Sequence, residues 1–117
     1  MARVLLVDDN TIFLKLFKEH LVSISPNLLI QEEFSGEEAL KKVNENPPDL
    51  IFLDLRLPGM NGLQLAQEIK RDFPKIPIAF LTGYELPEYR EAARQIGIDV
   101  FFSKESLNWD DIKAFLK

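Results

Sequence analysis

The stretch Val4-Leu5-Leu6-Val7-Asp8-Asp9-Asn10 decides the reading of this chain. Four apolar residues run without alternation, as in a strand buried on both faces, and they end abruptly in two acids. A second run, Leu50-Ile51-Phe52-Leu53-Asp54, ends the same way. In an open parallel sheet the ligand crevice lies outside the carboxyl ends of the strands. Three carboxylates gathered there repel one another and are costly to desolvate unless a cation neutralises them. An all-oxygen ligand set suits a hard divalent ion, Mg²⁺ foremost.

Working outward from these runs, strands are expected at Arg3–Val7, Leu28–Glu32, Leu50–Asp54, Ile76–Thr82 and Asp99–Phe102, with the second the most edge-like. Helical patterns fill the intervals. The first, about Thr11–Val22, places Ile12, Leu16 and Phe13/Phe17 on its buried side. Ser35-Gly36-Glu37-Glu38 reads as a capping box in which Glu38 reaches back to Ser35, with Ala39, Leu40 and Val43 following on one face. Asn61 caps a helix whose stripe is Gly62, Leu65, Ala66, Ile69 and Phe73 before Pro74 stops it. Pro87 opens a fourth helix that closes at Gly97. Ser106 is expected to cap the last, with Leu107, Ile112, Phe115 and Leu116 facing the core. The result is (βα)₅, an α/β domain with a doubly wound five-stranded parallel sheet covered on both faces.

Composition sets the outer bounds. The 117 residues suffice for one domain, 1–117, without staples. Fourteen Lys and Arg against nineteen Asp and Glu give a formal charge of −5, which disfavours a phosphate-backbone grip by this domain. The absence of cysteine excludes disulfides and thiolate metal sites. Val4–Val7 is too short for a signal-peptide core, and no stretch approaches a membrane span, so a cytoplasmic location is expected with no membrane partner.

Two further residues sit where strands should end: Thr82 closes Ile76-Pro77-Ile78-Ala79-Phe80-Leu81-Thr82, and Lys104 follows Phe101-Phe102-Ser103. Taken singly, each has a plain explanation. The acids suit a helix start, the threonine a strand end and the lysine a solvated surface. Together, at four strand ends on one edge, they make one site. Here the chain resembles the receiver domain of a two-component response regulator. The likeness runs from Asp8-Asp9 through Asp54-Leu55-Arg56-Leu57-Pro58-Gly59-Met60-Asn61-Gly62 and Leu81-Thr82-Gly83 to Lys104, and so covers the whole chain.

The resemblance implies a flavodoxin-like strand order 2-1-3-4-5 and a set of roles. Asp54 would be the nucleophile that takes a phosphoryl group from the phosphohistidine of a sensor histidine kinase or phosphotransfer protein. Asp9, Asp54 and the Arg56 backbone carbonyl would hold Mg²⁺, with Mn²⁺ as a substitute, and Asp8 would act mainly through a metal-bound water. Lys104 would pair with a phosphoryl oxygen and Thr82 would donate a hydrogen bond to another. Such a domain catalyses its own phosphorylation and autodephosphorylation without being a conventional enzyme. Thr82 and Phe101, three residues before Lys104, would form a switch acting on the face of the fourth helix, fifth strand and fifth helix. Phosphorylation-linked homodimerisation would use the same face, whose charges are mixed: Glu88, Arg90, Glu91, Arg94, Asp99, Asp110, Asp111 and Lys113.

Phe101 stands where tyrosine is frequent in the family, and Glu105 where proline usually follows the lysine. Arg56 and Tyr84 occupy variable positions flanking the attacking water, and a bulky Tyr84 would slow dephosphorylation. His20, on the first helix, is expected at the surface or boundary, away from the site. Trp109 reads equally as core or as a contact residue. The chain is expected to be the N-terminal part of a longer, DNA-binding regulator, or a stand-alone single-domain regulator. Competing readings are a receiver-like interaction module independent of phosphorylation, an aspartyl-phosphate phosphatase and a flavin-binding domain. The phosphatase wants a DxDx[TV] strand end that Asp54-Leu55-Arg56-Leu57 lacks; the flavin domain wants a phosphate loop where Asp8-Asp9-Asn10-Thr11 is acidic.

Overall fold

The computed structural model describes residues 2–83, 87–98 and 100–117. Strands and helices alternate: β1 (Arg3–Val7), α1 (Thr11–Ile24), β2 (Leu29–Glu33), α2 (Gly36–Glu45), β3 (Leu50–Asp54), α3 (Gly62–Asp72), β4 (Ile78–Thr82), α4 (Pro87–Gln95), β5 (Phe101–Ser103) and α5 (Trp109–Leu116). All four strand pairings are parallel, in the order β2-β1-β3-β4-β5, so the expected flavodoxin-like sheet is present.

Strand period 2 divides the core into two layers. Leu5, Val7, Ile51, Leu53, Ile78 and Phe80 pack with Ala39 and Val43 of α2, Leu65, Ala66 and Ile69 of α3 and Ala93 of α4. Val4, Leu6, Leu50, Phe52, Ala79 and Leu81 point the other way, onto Leu14, Phe17 and Leu21 of α1 and Ile112 of α5. Every residue of β3 and β4 is buried, whereas β2 alternates partly exposed positions, as its place at the edge requires. Among the described residues no helix is long and apolar enough to cross a membrane.

The inward face of α1 differs from expectation. Leu14, Phe17 and Leu21 are buried, while Ile12 and Leu16 are 75% and 63% exposed. At 3.6 residues per turn, positions two before and two after Leu14 fall on the opposite side of the helix. Phe13 packs at the margin of the core and stacks on Phe17 at 5.5 Å. Boundaries shift as well. Ile76 and Pro77 precede β4, since Ile76 N–H bonds the Phe73 carbonyl in a turn and proline has no N–H for a ladder. Asn108, not Ser106, caps α5 by accepting the Asp111 N–H at 3.1 Å; Ser106 N–H instead closes a turn onto Ser103. Of the candidates on this helix only Ile112 is fully buried. The β5 strand starts at Phe101, and Asp99 lies outside the described residues. Exposed His20 stacks on Trp109 with ring centroids 3.7 Å apart, and half-buried Trp109 also meets Phe17.

Candidate functional site

The sheet reverses its direction of winding at β1, whose neighbours are β2 on one side and β3 on the other. That switch point opens a crevice at the carboxyl ends of β1 and β3. Asp8 follows β1, with its backbone N–H bonded to the Glu33 carbonyl, and Asp54 is the last residue of β3. Each buried carboxylate is oriented by a backbone N–H two residues on. Asn10 N–H donates to Asp8 Oδ1 at 2.9 Å, and Arg56 N–H donates to Asp54 Oδ1 at 3.1 Å. Asn10 also caps α1 by accepting the Phe13 N–H, so one residue starts the helix and aims the acid. This double role was not foreseen, although an asparagine before a helical pattern is a visible capping signal.

Asp8, Asp9 and Asp54 each offer one carboxylate oxygen, and the three oxygens lie within 4.8 Å of one another. Asp8 and Asp54 are buried and Asp9 is exposed, so the cluster opens to solvent on one side. On another side Lys104 enters. Its backbone N–H bonds the Thr82 carbonyl at 2.9 Å, prolonging the β4–β5 ladder by one residue. Its ammonium stands 2.6 Å from Asp8 Oδ2 and 3.2 Å from Asp54 Oδ2. Asp8 Oδ2 is fully buried, and the Lys104 ammonium is the charge that faces it. The ammonium also lies 4.8 Å from the centre of the Phe13 ring, a cation–π contact that the expected inward packing of Phe13 did not foretell.

The electrostatics follow from burial and from like charge at short range. Burial, then the Asp8 carboxylate, push Asp54 from its ordinary 3.8 up to about 6, against the Arg56 N–H and Lys104, which pull it down. Burial alone would lower Lys104, but Asp8 and Asp54 outweigh it, so its pKa is raised and the ammonium stays charged. One cation shared between two buried acids leaves negative charge in excess. Three carboxylates around a single ammonium, one of them open to solvent, form a group that could bind a metal ion.

The other expected residues divide. Thr82 is buried at the end of β4, opposite Ser103 in register and in the same row of strand ends. Arg56 is exposed on the β3–α3 connection. Phe101 lies half-buried on the edge strand β5, two strands from β3, its ring 5.4 Å from Phe80 and under the Arg90 guanidinium at 4.6 Å. Tyr84 lies outside the described residues.

Comparison with known proteins agrees with this geometry. The family model described as the response regulator receiver domain matches residues 4–117. The chain is 30% identical over 115 residues to the response regulator protein VraR of Staphylococcus saprophyticus, covering 98% of this chain and 55% of VraR. It is 31% identical over 104 residues to the response regulator GacA of Pseudomonas viridiflava, covering 89% of this chain and 49% of GacA. The chain thus spans about half the length of these curated relatives. Among solved structures, the receiver domain of the Arabidopsis thaliana histidine kinase CKI1, in complex with Mg²⁺ and BeF₃⁻, superposes with a TM-score of 0.85 at 28% identity, over 98% of this chain and 89% of that one. A CheY-like receiver domain protein from Methanospirillum hungatei shares the fold with a TM-score of 0.88 at 24% identity, over 99% of this chain and 90% of that one.

Proposed function

The chain belongs to the response regulator receiver domain family, and from that premise we propose that Asp54 accepts a phosphoryl group from a phosphohistidine on a sensor kinase or phosphotransfer protein. The observation that carries the proposal is the convergence of Asp8, Asp9 and Asp54 within 4.8 Å, with the Lys104 ammonium against two of them. With its pKa pushed up to about 6, Asp54 is largely ionised at neutral pH and able to attack phosphorus. A bond forms from a carboxylate oxygen of Asp54 to phosphorus as the P–N bond to the donor imidazole breaks, its electron pair staying on the imidazole nitrogen. Attack by an anion on an anion requires neutralisation of the equatorial oxygens more than acid–base help. Asp9, Asp54 and the Arg56 carbonyl would hold Mg²⁺, with Asp8 at one remove, and the ion supplies that neutralisation when bound. The Mg²⁺ and BeF₃⁻ bound to the CKI1 receiver support this assignment.

Lys104, already poised on Asp54, exchanges a carboxylate partner for a phosphoryl oxygen, and the Thr82 hydroxyl donates to a second. Arg56 flanks the opening and tunes access of the water that later hydrolyses the acyl phosphate; Tyr84 is assigned the same part. Leu16 lines a groove of about 260 Å³ with Phe13, His20, Lys104 and Trp109, so the exposed apolar side of α1 offers a donor protein a contact beside the site. Movement of Thr82 toward the phosphoryl group transmits to Phe101 and the α4-β5-α5 face, where homodimer contacts or an output would engage. A phosphoryl mimic is accordingly expected to shift the Phe101 ring signals in NMR spectra, and unchanged signals would remove this switch. The relatives are about twice as long, which supports this domain being part of a longer regulator; that the domain is its N-terminal part, with a DNA-binding output and a cytoplasmic location, is proposed with it.

The direct test is intact mass after incubation with phosphoramidate and Mg²⁺. A gain of one phosphoryl group is expected, dependent on the metal and absent in Asp54→Ala. No gain in the wild-type chain would replace this reading with a phosphorylation-independent interaction module.

A further inference from the structure

The β3–α3 connection, residues 55–61, carries the Arg56 carbonyl at one end and rests on the first turn of α2 at the other. Three observations define that contact. The exposed Glu37 side chain reaches across to accept the Met60 N–H at 3.2 Å. Gly59 has φ +69°, a left-handed conformation in which glycine is unstrained, and a Cβ there would stand 2.6 Å from Glu37 Oε2. Gly36, the first residue of α2, approaches so closely that a Cβ would lie 2.5 Å from the Met60 carbonyl oxygen. Gly36 lets the α2 backbone approach Met60, Gly59 leaves room for the Glu37 carboxylate, and Glu37 closes the contact with a charge-assisted hydrogen bond. Its neighbour Glu38, expected to reach back to Ser35, supplies only its N–H to the cap, at 3.2 Å. The two-way capping box forms instead at Asn61 and Gln64, directly after the latched residue.

We propose that Glu37 is a positioning residue for the metal site: it latches the β3–α3 connection onto α2 and thereby holds the Arg56 carbonyl in place for the cation. The proposal rests on the metal reading of Asp9, Asp54 and Arg56 given above. The connection is otherwise held by Leu55 N–H to the Leu81 carbonyl, Arg56 N–H to Asp54 Oδ1 and Gly62 N–H to the Leu55 carbonyl, and by the Leu55 and Leu57 side chains buried in the core. Beyond Leu57, Pro58 and Gly59 are exposed, and Glu37 reaches across from α2 to hold Met60, the residue after them. A carbonyl that wanders must be ordered each time the ion binds, and a latch removes that cost before binding.

The test is a MgCl₂ titration of the wild-type, Glu37→Ala and Glu37→Gln chains, followed through backbone amide NMR signals, with amide exchange at Met60 measured in metal-free protein. Glu37→Ala is expected to weaken apparent Mg²⁺ affinity by about fivefold, below the ten- to hundredfold seen for groups bonded directly to metal ligands, and to speed Met60 exchange. Glu37→Gln keeps an acceptor oxygen and is expected to stay within about twofold of wild type on both readouts. Equal weakening by Ala and Gln would show that only the charge acts and would overturn the latch. So would an Ala variant that binds Mg²⁺ like wild type. A wild-type chain that binds no Mg²⁺ would instead overturn the metal reading, and the latch with it. Glu37 is exposed, so neither variant threatens folding.

Discussion

Asp54→Asn is expected to accept no phosphoryl group and yet to fold more stably than wild type in the absence of metal at pH 7. Burial and the Asp8 carboxylate push Asp54 up to about 6 in the folded chain, against an ordinary value of 3.8. Between those two values the folded state binds this proton more tightly than the unfolded state, so the group's contribution to stability falls as pH rises through the window. Below about pH 4 both states are protonated and the penalty vanishes; above about pH 6 it is constant. At 1.36 kcal/mol per pKa unit the full shift, in which the pull of Lys104 is already included, would be worth about 3 kcal/mol, and partial solvent access reduces this to about 1–2 kcal/mol. For a domain of this size that corresponds to a rise of roughly 5 °C in melting temperature. Thermal melts of both chains at pH 4 and pH 7 provide the check, because their difference isolates this one group. Added Mg²⁺ should stabilise wild type and leave Asp54→Asn nearly unmoved. An asparagine variant with no advantage at pH 7, or the same advantage at pH 4, would contradict this account of the crevice.

Gly62→Ala is the second large effect, of opposite sign. A Cβ at this position would stand 2.2 Å from the Asp54 carbonyl oxygen and 2.8 Å from the Leu55 Cα. Both are backbone atoms of the segment that presents Asp54, the proposed phosphoacceptor, so no side-chain rotation can relieve the overlap. Overpacking costs about 1–3 kcal/mol and occasionally more, and backbone-on-backbone contact lies at the upper end. Alanine returns up to about 1 kcal/mol in helix propensity at the first residue of α3, leaving a net loss of about 2 kcal/mol. Gly83, exposed at the same sheet edge, is the control, since a Cβ added there would meet nothing within 4 Å. Gly83→Ala is expected to change stability by less than about 0.5 kcal/mol. Equal melting temperatures for the two variants would show that α3 can yield to the added methyl group at little cost. The loss should extend to phosphoryl uptake, because relief of the clash must displace either α3 or Asp54.

How much of this was legible from the residues alone depends on the range of the interaction involved. The apolar runs ending in Asp8 and Asp54 announced buried parallel strands, since side-chain period and burial are local properties of the chain. The same logic placed Thr82 and Lys104 at strand ends, and the structure sets them in one row with the acids. Helix faces were less secure. In α1 the apolar residues Ile12, Phe13, Leu14, Leu16 and Phe17 surround most of the helix, so periodicity alone could not choose the inward side. The sheet chose Leu14, Phe17 and Leu21 because those reach Phe52 and its neighbours.

The sequence by itself therefore determined the order of elements, the parallel sheet and the residue types available at its carboxyl edge, because these depend on short-range pattern. Tertiary structure alone decided which of those groups share one field: the Lys104 ammonium on Asp8 and Asp54, the full burial of Asp8 Oδ2, and Glu37 on Met60. Those pairs are separated by tens of residues. Their distances are set by strand register and helix packing, and electrostatic interaction depends on those distances and on burial, not on position along the chain.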